Sequence, residues 1–222
     1  MKPFQTKRLT VSAVMLALST VLALVCALIP FLHLPMGGGF TVASMLPIVI
    51  VSYIYGIKWG LFTSLTYAVI QIVMDLCLGV NGSVIMALFL PDSDTGIVAG
   101  IAILVIDYLI AYTVLGLGGM FRNRFESKTT ALCIGSIVAL SLRYLAHIVS
   151  GYIFYGAWAE WFFSQEGWFQ GFGLWLIEHL DGGLLALVYS IFYNGLYMIP
   201  EIIITALAAI GVARIRYIKK SE

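Results

Sequence analysis

The chain reads as an all-α integral membrane protein, a bundle of six transmembrane helices with N- and C-termini cytoplasmic. Three observations predict this class. The 222 residues are 61% hydrophobic and 10% charged, with a mean hydropathy of +1.01. A soluble domain carries about 25% charged residues, so too little polar surface exists to coat a globule and lipid must be its solvent. Six apolar segments also approach the roughly 20 residues needed to cross the hydrocarbon, and the basic residues fall on alternate connections.

The first segment, residues 9–30, is too long for a signal-peptide core and lacks a small-residue cleavage site, so it is expected as a retained first helix. It carries Ala13-x-x-x-Ala17, a small-xxx-small face that allows close backbone approach. The second, 41–57, is short and contains Pro47, which predicts a tilted or kinked helix. The segments 59–78, 97–120, 130–154 and 183–212 have ordinary spanning length, and the whole chain, 1–222, forms one membrane domain. Between the last two lies an aromatic-rich outer connection, 155–182, with Trp158, Trp161, Trp168 and Trp175 among phenylalanines. Such density suits one or two short helices at the membrane surface. It reads either as an aromatic belt or as a lid over an outward-facing pocket, hinged at Gly167, Gly171 and Gly173.

Orientation follows from the connections. Lys2, Lys7 and Arg8 precede the first segment, Lys58 the third, and Arg122, Arg124 and Lys128 the fifth; Arg214, Arg216, Lys219 and Lys220 follow the sixth. The other connections carry Asp92 and Asp94, then Glu160, Glu166, Glu178 and Asp181. Six spans put every basic cluster on one side, the cytoplasmic one.

Several classes are excluded. No GxxxxGK[ST] motif is present, so ATP hydrolysis by P-loop chemistry is not expected of this chain. No GxSxG elbow or HExxH motif points to an enzyme, and no basic tract points to nucleic acid. Cys26, Cys77 and Cys133 lack metal or redox spacing and read as small core hydrophobes. No cofactor or metal is implied.

Function concentrates in polar residues within apolar segments. A charge at mid-bilayer costs about 2.5–3.5 kcal/mol on insertion scales, so Asp107, Arg143 and His147 must face a protein interior or a ligand. Asp107 and Tyr108 lie roughly 15 Å below the outer end of the fourth segment. Arg143 and His147 share one face of the fifth, with Ser150 and Phe154 continuing the stripe. Their depths predict an Asp107–Arg143 pair. The sixth segment offers Ser190, Asn194, Tyr197 and Glu201 on one face, and the third offers Tyr67 and Gln71 one turn apart. A carboxylate walled by aromatic rings suits a cation, while an amide, an imidazole and phenols suit the edge of a flat heterocycle. A small cationic heterocycle fits this set better than a sugar or a lipid. A membrane scaffold with a purely structural polar cluster and, behind it, a membrane enzyme stay open on these residues alone.

Four stretches carry a family likeness: GGGFTVASMLPIVIVSYIYGIKWGL at 37–61, IDYLIAYTVLGLGGMF at 106–121, LRYLAHIVSGYIFYG at 142–156 and YSIFYNGLYMIPE at 189–201. Together, in this order, they resemble the thiamine-specific substrate-binding subunit, or S component, of energy-coupling factor (ECF) transporters. The resemblance implies a six-helix bundle in the bacterial plasma membrane that binds thiamine near its outer face. It also implies work with a membrane coupling subunit and two ATPase subunits that use the ATP. Carried over by motif position, the substrate-binding residues are Tyr67, Asp107, Tyr108, Arg143, His147, Tyr155, Tyr189 and Asn194. Asp107 is expected to pair with the aminopyrimidine or the cationic ring and Arg143 to orient it. Tyr155 and His147 are expected to stack, and Tyr189 and Asn194 to bond ring edges. Ala13 and Ala17 correspond to the face that docks the coupling subunit. The first outer connection, HLPMGGGF, lacks a tryptophan that some members place there, and the 155–182 connection is longer than usual. Within transport, a related heterocycle such as a thiamine pyrimidine precursor is the alternative ligand.

Overall fold

Helices account for nearly all of the regular structure, and their ends follow local chemistry. The computed structural model describes residues 3–34, 38–78 and 96–215. The acids Asp92 and Asp94 and the basic residues Lys2, Arg216, Lys219 and Lys220 lie outside the described residues. In chain order the helices are α1 (Pro3–Ala27), α2 (Leu46–Tyr55), α3 (Ile57–Leu78), α4 (Gly96–Gly119), α5 (Lys128–Phe154), α6 (Ala159–Ser164), α7 (Gln170–His179) and α8 (Gly182–Val212). Among the described residues, α1, α3, α4, α5 and α8 are long and apolar enough to cross a membrane, and the only β contact is an isolated bridge between His33 and Gly39.

The second segment differs from its sequence expectation. Its helix begins at Leu46, so Pro47 stands in the first turn, where a missing N–H costs nothing and produces no kink. Gly56, at φ +88°, ends it in a conformation that only glycine adopts freely. Ten residues rise about 15 Å, half of a hydrocarbon core. The irregular backbone before it, from Gly38 to Met45, borders the cavity between the helices, with Ser44 and Met45 buried and Val42 exposed; non-helical backbone is tolerated where it lines a cavity.

Helix α4 changes its winding along its length. It is α-helical over Gly96–Ile103, π-helical over Leu104–Ile110 and 3-10 helical over Val114–Gly119. The tight final stretch is a packing requirement. A Cβ on Gly116 would strike the backbone of Leu61, one on Gly119 the backbone of Ser52, and one on Gly135 the carbonyl of Gly118. The Ser52 hydroxyl donates to the Gly116 carbonyl and accepts from the Gly119 N–H at 3.0 Å. Glycine and serine thus bring α2, α3, α4 and α5 into backbone contact.

The basic residues gather at one end of this bundle. Arg122 donates to the Ile54 carbonyl at 2.8 Å, closing the C-terminal turn of α2, and the Arg8 guanidinium lies 3.9 Å over Trp59, beside Lys58. At the other end, α6 and α7 form the aromatic connection. Phe162, Phe163 and Phe169 pack on Tyr189, Phe192 and Tyr193 of α8, whereas Trp168 is 82% exposed. Gly173 lies within α7 and lets it rest against the Phe163 backbone. Of the three free cysteines only Cys26 is buried; Cys77 faces outward, contrary to the expectation of a core position.

Candidate functional site

Helices α1, α3, α4, α5 and α8 and the segment Gly38–Met45 line a cavity of about 170 Å³. All eight residues singled out as substrate-binding (Tyr67, Asp107, Tyr108, Arg143, His147, Tyr155, Tyr189 and Asn194) line it. Ala13 and Ala17 do not; they lie on the exposed face of α1.

The winding of α4 sets up the acidic end. On a regular α-helix consecutive side chains diverge by about 100°. The wider π turn reduces that angle, so both Asp107 and Tyr108 reach the cavity wall. The carboxylate of Asp107 is held by α5: His147 Nδ1 stands 2.9 Å from Oδ1, and the Ser150 hydroxyl donates to Oδ2 at 2.6 Å. The expected Asp107–Arg143 pair is not formed. His147 and Ser150, three apart on α5, occupy both oxygens at the depth of Asp107. Arg143 sits one turn deeper, where its guanidinium lies 4.3 Å over the Tyr112 ring and donates to Met45 Sδ at 2.7 Å.

Among the described residues that line the cavity, two buried nitrogens are left without hydrogen-bond partners, His147 Nε2 and Arg143 Nε. Nearly all buried polar atoms find partners, so two orphans on cavity-lining residues mark where a polar ligand would be recognised. A neutral imidazole donating Nδ1–H to Asp107 presents Nε2 as an acceptor.

Helix α8 contributes a network that is already nearly complete. Asn194 Nδ2 donates to the Ser190 carbonyl at 2.9 Å and to the His147 carbonyl at 3.2 Å, and Tyr197 donates to Asn194 Oδ1 at 2.5 Å. Asn194 therefore retains one acceptor site at most and chiefly ties α8 to α5. That contact needs Gly151, whose Cβ would strike the Ser190 hydroxyl.

The remaining walls are aromatic. Tyr67 is fully buried and meets Tyr112 edge-on at 5.5 Å; Tyr108 lies 6.4 Å from Tyr112, and Tyr189 lies 5.6 Å from Tyr193. At the rim beside the aromatic connection, burial, then the Asp107 carboxylate and the Tyr189 phenol, push the Tyr155 phenol above its ordinary value, leaving a neutral hydroxyl. One carboxylate among aromatic faces gives the cavity the chemistry of a cation site.

Sequence reasoning missed part of this surface. Phe40, Ser44 and Met45 line the cavity from an irregular segment with no periodicity to read. Asp75, buried in α3 but outside the cavity lining, was legible through its position four residues after Gln71 in an apolar run.

Comparison with known proteins agrees with this architecture. Residues 9–164 match the family described as thiamine transporter protein (Thia_YuaJ), a match that ends before α8. The chain is 30% identical over 212 residues to the thiamine transporter ThiT of Bacillus subtilis, covering 91% of this chain and 88% of that protein. A solved structure of ThiT from Listeria monocytogenes superposes with a TM-score of 0.54 over 90% of this chain and 93% of that one; at 18% identity it supports the fold alone. With its apolar helices and these relatives, the chain is a multi-pass protein of the bacterial cell membrane that belongs to the thiamine transporter protein family.

Proposed function

We propose that this chain is the high-affinity thiamine-binding S component of an ECF-type vitamin importer. The observation that carries the proposal is the convergence of all eight motif residues on one cavity, with a paired carboxylate among aromatic rings. Thiamine is a cation joined to an aminopyrimidine. The Asp107 carboxylate attracts the charge, the rings of Tyr155 and His147 stack on the heterocycles, and Tyr189 bonds their edges. Arg143 acts on the ligand or on the Tyr112 wall, since His147 and Ser150 already orient Asp107.

In this reading the chain crosses the membrane six times, with both termini cytoplasmic. The second crossing combines α2 with the irregular segment before it, and the end that holds Arg8, Lys58 and Arg122 is cytoplasmic. ATP is hydrolysed by two partner ATPases, and the coupling subunit docks on the exposed Ala13–Ala17 face of α1.

Titration of the purified chain with thiamine, followed by tryptophan fluorescence and calorimetry, tests the reading. Saturable binding selective over riboflavin is expected. Binding of the pyrimidine precursor alone would replace the ligand, and no binding of either would return the polar cluster to a structural role.

A further inference from the structure

The buried carboxyl group of Glu201 has no place in the cavity chemistry described above. It is 1% exposed and absent from the cavity wall. A carboxyl group is expensive to bury, and an apolar side chain would fill the same space at lower cost. Its partners explain its presence. One oxygen accepts from both the N–H and the hydroxyl of Thr41, the latter at 2.9 Å, and the other accepts from Thr205 at 3.3 Å.

Thr41 lies in the segment Gly38–Met45, which has neither helix nor sheet to hold it. It contributes Gly38, Gly39, Phe40, Thr41, Ser44 and Met45 to the cavity wall, and the Met45 sulfur receives Arg143. Its first half is bridged to the preceding turn, where Phe40 N–H donates to the Leu32 carbonyl at 3.2 Å and the Gly38 carbonyl accepts from Leu34 at 3.0 Å, whereas from Thr41 on its bonds to the rest of the bundle are to side chains. The Thr41 and Ser44 hydroxyls bond at 2.6 Å, the Val42 N–H donates to Cys26 Sγ at 3.3 Å, and Gly38 lies against the Tyr197 ring. Tyr197 and Glu201 are one turn apart on α8, so a single helix face grips the segment at two points.

We infer that Glu201 is a positioning residue for the ligand cavity: its carboxyl group anchors the segment Gly38–Met45 to α8 and so keeps that wall closed. As far as it concerns thiamine, the inference rests on the function proposed above. The anchor itself can be read without ligand, because the Val42 N–H of the segment bonds the buried Cys26 thiol on the cavity wall, and release of the segment frees that thiol and opens the way to it.

The test uses the full chain with Cys77 and Cys133 replaced by alanine, measuring maleimide labelling of Cys26 and the thiamine dissociation rate. Glu201→Ala should speed both by at least about tenfold, the scale of a lost charge-assisted hydrogen bond. Glu201→Gln keeps an oxygen that accepts from Thr41 and should stay within about threefold of the parent, a rescue that bulk destabilisation would not give. Thr41→Val should speed labelling alone and add little on top of Glu201→Ala, because the two groups act through one contact. Labelling of Glu201→Ala at the parent rate overturns the inference. If that variant does not fold, parent-rate labelling of Thr41→Val overturns it instead. A parent chain that ignores thiamine defeats the proposed function only, and Cys26 labelling then decides the anchor by itself.

Discussion

His147 on α5 and Asp107 on the π-helical stretch of α4 meet Nδ1 to Oδ1 at 2.9 Å, and Ser150 holds the second carboxylate oxygen at 2.6 Å. The acid is thus oriented before any ligand arrives. Asp107→Ala should weaken thiamine binding by about 1.5–3 kcal/mol, the usual loss for a hydrogen bond to a charged group. Asp107→Asn should cost less, since Ser150 can still donate to the amide oxygen. Calorimetric titration checks both, and unchanged affinity in Asp107→Ala would place the ligand elsewhere. His147→Ala combined with Asp107→Ala should lose less than the sum of the single losses.

The glycine contacts at the other end of α4 predict where the fold is least tolerant. Gly119→Ala and Gly135→Ala drive a methyl group into backbone that has no room to yield. Each should lower stability by at least about 1–3 kcal/mol, the range for overpacking. Gly171→Ala meets nothing within 4 Å and should melt with the parent chain. Thermal unfolding in detergent separates the two groups.

Phe162 touches the cavity only through its neighbours, packing edge-on against Tyr189 and Tyr193 at 5.4 Å each. Phe162→Ala should raise the thiamine dissociation constant by a few-fold to about tenfold, the worth of one or two aromatic pairs. Fluorescence titration measures it. A wild-type affinity would show that the α6–α7 connection covers the cavity without shaping it.

Sidedness has a direct readout. In a chain with its three cysteines replaced, Arg124→Cys and Gly171→Cys place single thiols at exposed positions of opposite ends. An impermeant maleimide added to intact cells should label position 171 and spare 124. The reverse pattern would invert the proposed orientation.

Docking and capture should separate at α1. Ala17 is exposed, so Ala17→Leu leaves the cavity untouched. Thiamine affinity should stay at the parent level while uptake by cells carrying the ATPase partners falls. Intact uptake would move the coupling surface away from this face.

The fold was legible wherever periodicity or composition reports burial. The apolar runs of α1, α3, α5 and α8 read directly as helices, and the tryptophans of 155–182 marked the short α6 and α7. Pro47 was read as the cause of a tilt or kink in the second segment, whereas proline in a first turn opens a helix. Eight residues that line the cavity could be named from their motifs, but their pairing could not. Asp107 and Arg143 matched in charge and depth, yet a carboxylate has two oxygens, and two side chains at the right height on α5 took both. Burial of Glu201 was hinted at by its helix face, whereas its partner Thr41 lies 160 residues away in a stretch without pattern.

The short second helix bears on how the chain is assembled. Ten residues are too few to partition into a bilayer by themselves, and they follow a stretch whose Thr41 amide is satisfied only by a carboxyl group on α8. During synthesis α2 therefore enters together with α3, to which Gly56 joins it directly. The backbone ahead of it stays hydrated until the last helix arrives from the ribosome. The wall built by Gly38–Met45, early in the sequence, is therefore completed only by the last helix, and a chain released before α8 lacks that anchor.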